Sequence, residues 1–140
     1  MWGHTQSCGC LQREQIRNLG FAKRKPPGES SFNQLYVTYV NRATRDSIEF
    51  RLSKDEFKKL TGSDCFYCGT KPAASIGTKR MNGTYIHNGI DRVNNDAGYI
   101  VQNCVPCCTQ CNMAKHMTKL PEFLDWVKRV HAHLLIKGLI

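Results

Sequence analysis

From Ser31 onward, apolar residues return with a helical rhythm. Phe32, Leu35, Tyr36, Tyr39, Val40 and Ala43 occupy positions i, i+3, i+4, i+7, i+8 and i+11. That period puts one apolar stripe on one face of an amphipathic helix, so these tyrosines are expected in the core and not as base-stacking groups. Leu11 to Leu19 predicts a shorter helix, and the stretch between the two, "AKRKPPGESS", mixes basic residues with Pro and Gly and reads as a linker or exposed arm. Ser53-Lys54-Asp55-Glu56 has the S-x-x-E form of a capping box. It should open a short helix through about Leu60, with Gly62 just past its end, and deliver the chain to Cys65.

Further along the pattern changes. Residues 69–84 are rich in Gly, Thr, Ser and Lys and predict a loop, while Gly89 to Val93 and Ile100 to Val105 resemble two short strands separated by the turn-forming "NNDAGY". A hairpin follows. A helix should begin near Cys108, and a last one after Thr118 with Leu120, Phe123, Leu124, Val127 and Val130 as its apolar face. The sum is an α+β fold in three parts. Residues 1–30 form an N-terminal segment, 31–64 a helical lead-in, and 65–134 a domain built on strand, turn, strand and helix.

With 140 residues, many of them polar, the core available without a staple is modest. Lys and Arg number 20 against 11 Asp and Glu, and the net charge of +9 favours a polyanionic partner such as nucleic acid. "MWGHTQSCGCLQRE" lacks the basic-then-apolar order of a secretory signal, and no run approaches the roughly 20 apolar residues of a membrane span. The expectation is a soluble, intracellular protein in a reducing compartment. There, eight cysteines in clustered Cys-x-x-Cys spacing point to zinc in preference to disulfides.

The knuckles are "CFYC" at Cys65 and Cys68 and "CTQC" at Cys108 and Cys111, separated by a hairpin-sized insert. Four thiolates satisfy a tetrahedral zinc ion and leave no open position, which makes the site structural. Cys104 and Cys107 form a competing pair; Cys108 with Cys111 is preferred because it would start the helix, leaving Cys104 and Cys107 as small buried residues. Cys8 and Cys10, in "SCGCLQRE", resemble the closing half of a zinc ribbon whose opening pair is absent, so the chain is expected to begin late.

Between the knuckles, Asp91 falls on the first strand, and Asn112 and His116 on the helix that follows. Residues four apart share a helix face, so Asn112 and His116 can point where Asp91 points. Carboxylate, amide oxygen and imidazole together suit a divalent cation such as Mg2+, with positions left for water and phosphate.

These residues carry a resemblance. "NGIDRVNNDAGY", "QNCVPCC" and "CNMAK", over roughly Cys65 to Val130, resemble the HNH endonucleases, the ββα-metal nucleases, in the zinc-bound form of phage-encoded and homing-type enzymes. The approach, "FNQLYVTYVNRATRDSIEFRLSKDEFKKL", is similar to the lead-in of phage members. The resemblance implies a metal-dependent DNA endonuclease. Asp91 would be the first-strand metal ligand, Asn103 the middle Asn that orients the site, and Asn112 the helix ligand. The spacing from Asn103 through Asn112 to His116 also matches the nuclease colicins, which makes His116 a third ligand.

One departure changes the chemistry. Where the family places a general-base His after the Asp, this chain has Arg92, which stays protonated and cannot take a proton from water. Arg92 can instead clamp the scissile phosphate with its planar donor fork. His87 is a substitute base only if Gly89 bends sharply, because four strand residues span about 13 Å; otherwise it is a strand histidine. His116 or a metal-bound hydroxide are the other candidates. Asn94, where related phage sequences carry Asp, is a smaller departure. Two classes therefore stand: a metal-dependent DNA endonuclease, or a zinc-stapled nucleic-acid-binding protein whose nuclease site has decayed. Asp91, Asn112 and His116 together favour the enzyme.

Overall fold

The computed structural model of the protein describes residues 9–22 and 25–140, and for residues 17–22 the backbone only. Cys8, and with it half of the ribbon-like pair, lies outside the described residues, as do Lys23 and Arg24 of the basic arm. Helix α1 runs Cys10–Ala22, α2 Glu29–Arg45 and α3 Lys54–Thr61. Strands β1 (Ala74–Ile76) and β2 (Tyr85–His87) form one antiparallel pair, and β3 (Gly89–Arg92) and β4 (Cys104–Cys107) a second. Helices α4 (Thr109–Lys115) and α5 (Leu120–Ile136) complete the chain.

Local chemistry accounts for the helix starts. Gly28, at the head of α2, sits at φ +81°, and its amide donates to the Asn82 carbonyl at 2.7 Å. A side chain there would be strained twice, by the left-handed backbone and by a Cβ 2.9 Å from the Thr84 carbonyl oxygen. At α3 the capping box forms as the sequence predicts: the Ser53 hydroxyl accepts from the Glu56 amide while the Glu56 carboxylate accepts from the Ser53 amide at 2.8 Å.

The core is aromatic and crosses from the helical lead-in to the hairpin. Phe57 of α3 is fully buried, with the rings of Tyr39 at 5.0 Å, Tyr36 at 5.3 Å and Phe32 at 6.0 Å around it, in edge-on or tilted arrangements. Ile90 of β3 and Cys104 of β4 close the same cluster. The tyrosines of α2 thus pack in the core. Tyr39 also accepts a hydrogen bond from the Ile90 amide at 3.1 Å, which pins the backbone next to Asp91.

Three expectations need correction. Residues 69–84 are not wholly loop, because Ala74–Ile76 pairs with Tyr85–His87 in the register Ala74 to His87; the flanking Gly and Thr masked a three-residue strand whose Ile76 packs on the core. The second hairpin strand starts at Cys104, not Ile100, because Val101–Asn103 turns as a 3-10 helix. Asn103 causes this by folding back on the turn, donating to the Asn94 and Gly98 carbonyls at 2.9 and 3.0 Å. Finally, the stripe of α5 does not enter the core. Phe123 is buried at 5% exposure, whereas Leu124, Val127 and Val130 are 42%, 41% and 38% exposed. The helix meets the domain near its N-terminal end, where Phe123 packs edge-on against Tyr67 at 5.5 Å.

Candidate active site and metal centre

The sulfurs of Cys65, Cys68, Cys108 and Cys111 all lie within 4.8 Å of one another. Cys65 and Cys68 come from the tight turn after α3, and Cys108 caps α4 by accepting from the Cys111 amide at 3.4 Å. The Cys68 and Cys108 sulfurs are 3.7 Å apart; ligands about 2.3 Å from a tetrahedral zinc stand about 3.8 Å apart. The donor set and its spacing therefore suit a closed metal site, and the cluster can hold an ion such as zinc. Cys104 and Cys107, the competing pair, are buried in β4.

The cysteines of the cluster are shifted in opposite directions. The Thr70 hydroxyl, 3.1 Å from the sulfur, brings Cys68 down to about 6. Burial pushes Cys65 upward, but the amides of Cys108, Cys68 and Tyr67 outweigh it and hold the thiol below its usual value. Cys111 moves the other way, raised by burial and by its hydrogen bonds to Cys68 and Cys108. Four thiols this close cannot all ionise unaided. Burial likewise raises Cys104, to about 11.

Asp91 lies on β3, opposite Val105 of β4, and is 4% exposed. Three donor contacts hold its carboxylate. Tyr67, between the first two cysteines, donates to Oδ2 at 2.7 Å. Lys115, at the end of α4, places its Nζ 3.2 Å from Oδ1 and 3.1 Å from Oδ2, and donates to the Arg92 carbonyl at 3.1 Å. Burial and the neighbouring Asp91 carboxylate raise Tyr67 far above the ordinary phenol value, so it remains a donor. Sequence reasoning missed both partners. A Lys four residues after a cysteine ligand reads as solvated, yet Lys115 is completely buried; its place in the last turn of so short a helix was the only available signal.

The front of Asp91 faces a cleft of about 280 Å³ whose walls include Arg92, Asn95, Tyr99, Asn112 and His116. Four of the predicted residues, Asp91, Arg92, Asn112 and His116, thus meet in one place. His116 is not on the helix, as expected, but just beyond it. It caps α4 at φ +47° and ψ −124°, with its amide still bonded to the Asn112 carbonyl at 2.9 Å. A non-glycine residue in that region is strained, and such strain often accompanies a functional position.

Arg92 has a second occupation. Its guanidinium donates to the carbonyls of Asn95 and Ala97, both at 2.9 Å, and lies 5.4 Å from the Tyr99 ring centre. It grips the same turn that Asn103 grips from the 3-10 helix before β4. Asn103 is buried behind that turn, outside the cleft lining, and also accepts from the Asn94 amide at 2.8 Å. The Asn94 side chain is turned to the Asp96 amide at 3.0 Å. His87 stacks on Tyr85 with ring centres 6.0 Å apart, its Nδ1 3.0 Å from the Asn88 carbonyl oxygen, and it does not line the Asp91 cleft. Asn95, which the sequence did not single out, ties the turn to the Met117 carbonyl at 3.0 Å and lines the cleft.

No family model matches the chain. Among curated proteins it is similar to an uncharacterized protein of Acanthamoeba polyphaga mimivirus, with 39% identity over 89 residues, or 64% of this chain. The chain spans only 15% of that relative's length. Among solved structures it is similar to PacI, described as a rare-cutting HNH restriction endonuclease that perturbs DNA, with a TM-score of 0.52 and 16% identity over 77% of this chain and 82% of that one. That likeness shows an HNH-like fold. No helix among the described residues is long and apolar enough to cross a membrane.

Proposed function

We propose that this chain is a metal-dependent DNA endonuclease of the HNH, ββα-metal type. The observation that supports the reading most is the meeting of Asp91, Arg92, Asn112 and His116 in one cleft, beside a four-cysteine cluster and within an HNH-like fold. Zinc in the cluster would be structural. In the cleft, the Asp91 carboxylate, the Asn112 amide and the His116 imidazole offer the hard and borderline donors that a Mg2+-like ion accepts. Such an ion, when bound, supplies Lewis-acid stabilisation of charge on the phosphodiester.

The chain's own residues do the rest. Lys115 and Tyr67 fix the Asp91 carboxylate from behind. Arg92 and Asn103 hold the 93–103 turn at the cleft's edge, so that Arg92 positions protein backbone and, with its remaining donors, phosphate. His116, exposed at the end of α4, would take the water proton only if Asp91 and Asn112 alone hold the ion, because an imidazole that ligates has no acceptor nitrogen left. The net charge of +9 favours approach to the polyanion.

A second reading has its own support. Because Arg92 is committed to two carbonyls of the turn, the site can equally be a decayed one on a zinc-stapled DNA-binding protein. Incubation with supercoiled plasmid separates the two. The endonuclease gives nicked or linear product with Mg2+ or Mn2+, none with chelator, and none from Asp91→Ala. The binder retards DNA in a salt-sensitive way and leaves it intact. Arg92→His then decides between decay and redesign: it creates cleavage if the site lacks only a base, and lowers it if Arg92 is needed where it stands.

A further inference from the structure

The cleft is poor in negative charge. Asp91 is the carboxylate in its lining, Asn112 and His116 add polar atoms without negative charge, and Arg92 adds a guanidinium. Glu49 and Asp96 line a different cavity, which shares Arg92 and Asn95 with this one but not Asp91. Behind Asp91, the Lys115 ammonium contacts both carboxylate oxygens, so the single negative charge is already balanced. Lys115 has little freedom to leave. It is completely buried, it is bonded to the Arg92 carbonyl as well, and it sits in the last turn of a helix whose first turn carries Cys111.

The same contacts leave the carboxylate usable. A carboxylate offers about four lone-pair directions. Hydrogen bonds from Tyr67 and Lys115 take one on Oδ2 and one on Oδ1, the Lys115 charge standing 3.1 Å from Oδ2 as well, which leaves a direction open for a ligand in the cleft. A hard divalent cation entering here would find an oriented carboxylate oxygen, an amide and an imidazole, but a net positive surrounding. A phosphodiester bound at the same time would bring the missing negative charge and further oxygen ligands.

We propose that Lys115 is a positioning residue that holds Asp91 as a ligand and, by balancing its charge, keeps the free protein from taking up a divalent cation until a nucleic-acid phosphate arrives. Cation and phosphodiester then bind together, each raising the other's affinity by the same factor. This rests on the endonuclease reading of the cleft.

The test uses full-length protein with its cysteine cluster loaded, and follows Mn2+ uptake by the loss of the free-ion paramagnetic resonance signal. The titration is run on protein alone, on a short phosphorothioate duplex alone, and on the two together. Uptake by the mixture should exceed the sum of the separate uptakes, with protein affinity raised at least tenfold by the duplex. Lys115→Met should raise the Mn2+ affinity of free protein at least tenfold and shrink the effect of the duplex, whereas Lys115→Arg should behave as the parent does. If Lys115→Met fails to fold, the parent titrations still decide. Uptake by free parent protein as tight as in the mixture overturns this proposal alone, as does a folded Lys115→Met with parental behaviour. No protein-dependent uptake even with duplex overturns the endonuclease reading and this proposal with it.

Discussion

The four-cysteine cluster and the Asp91 cleft draw on the same short stretch of chain, yet they stand in opposite electrostatic states. Around the sulfurs are chiefly one another, backbone amides and the Thr70 hydroxyl, so ionising the set requires a cation from outside. Around Asp91 the cation is built in as Lys115. Helix α4 serves both, with Cys111 on one site, Asn112 on the other and Lys115 behind the second. The difference teaches that ionising one site calls for a cation from outside, whereas the carboxylate of the other is already balanced by one from within. Folding should therefore depend on metal at the cysteines and not at the cleft.

The largest effect that can break this comparison is removal of a sulfur. Cys65→Ser or Cys111→Ser should lose the metal and with it the fold, because structural zinc contributes on the order of 10–16 kcal/mol of apparent binding energy. Metal analysis beside far-UV circular dichroism reads both. Cys104→Ser should keep its metal, since Cys104 packs in the core instead. A zinc-free Cys104→Ser beside a zinc-loaded Cys108→Ser would put the wrong sulfurs in the cluster.

A smaller effect tests the neutral site. Asp91→Ala leaves the Lys115 ammonium buried without its carboxylate, at a cost of about 3–5 kcal/mol, while metal content stays at the parental level. Adding Lys115→Met should recover much of that loss, because the uncompensated charge is gone. Denaturant midpoints of the two single variants and the double one give the coupling. Strict additivity would mean that Asp91 and Lys115 do not act as a pair.

The smallest effect is in pH. Cys68 is lowered from the usual thiol range to about 6, so its thiolate persists in the folded protein above that value and is lost as pH falls through it. The favourable contribution of that ionised thiol is thus complete only in alkaline solution and vanishes on acidification. Capture of Co2+, seen as thiolate-to-metal absorption, should weaken by roughly a further tenfold per pH unit below about 6, as the Cys68 thiolate is protonated. A capture curve flat from pH 7 to 5 would argue that cysteine ionisation does not control the cluster.

What the sequence determined by itself was whatever depends on near neighbours. The period of α2, the capping box of α3, the turn in "NNDAGY" and the two Cys-x-x-Cys pairs are written within a few residues each, because backbone hydrogen bonds and chelate spacing act over that range. The cleft residues Asp91, Asn112 and His116 were legible by their place in a motif. The tertiary structure decided which side chains are shielded from water. It buried Lys115 against a carboxylate 24 positions away, turned Tyr67 from a knuckle residue into a donor to Asp91, and gave Arg92 to the turn. It also ended α4 one residue before His116 and left most of the α5 stripe exposed. Burial and charge pairing depend on segments distant in sequence, and a single chain read residue by residue does not contain the distances that set them.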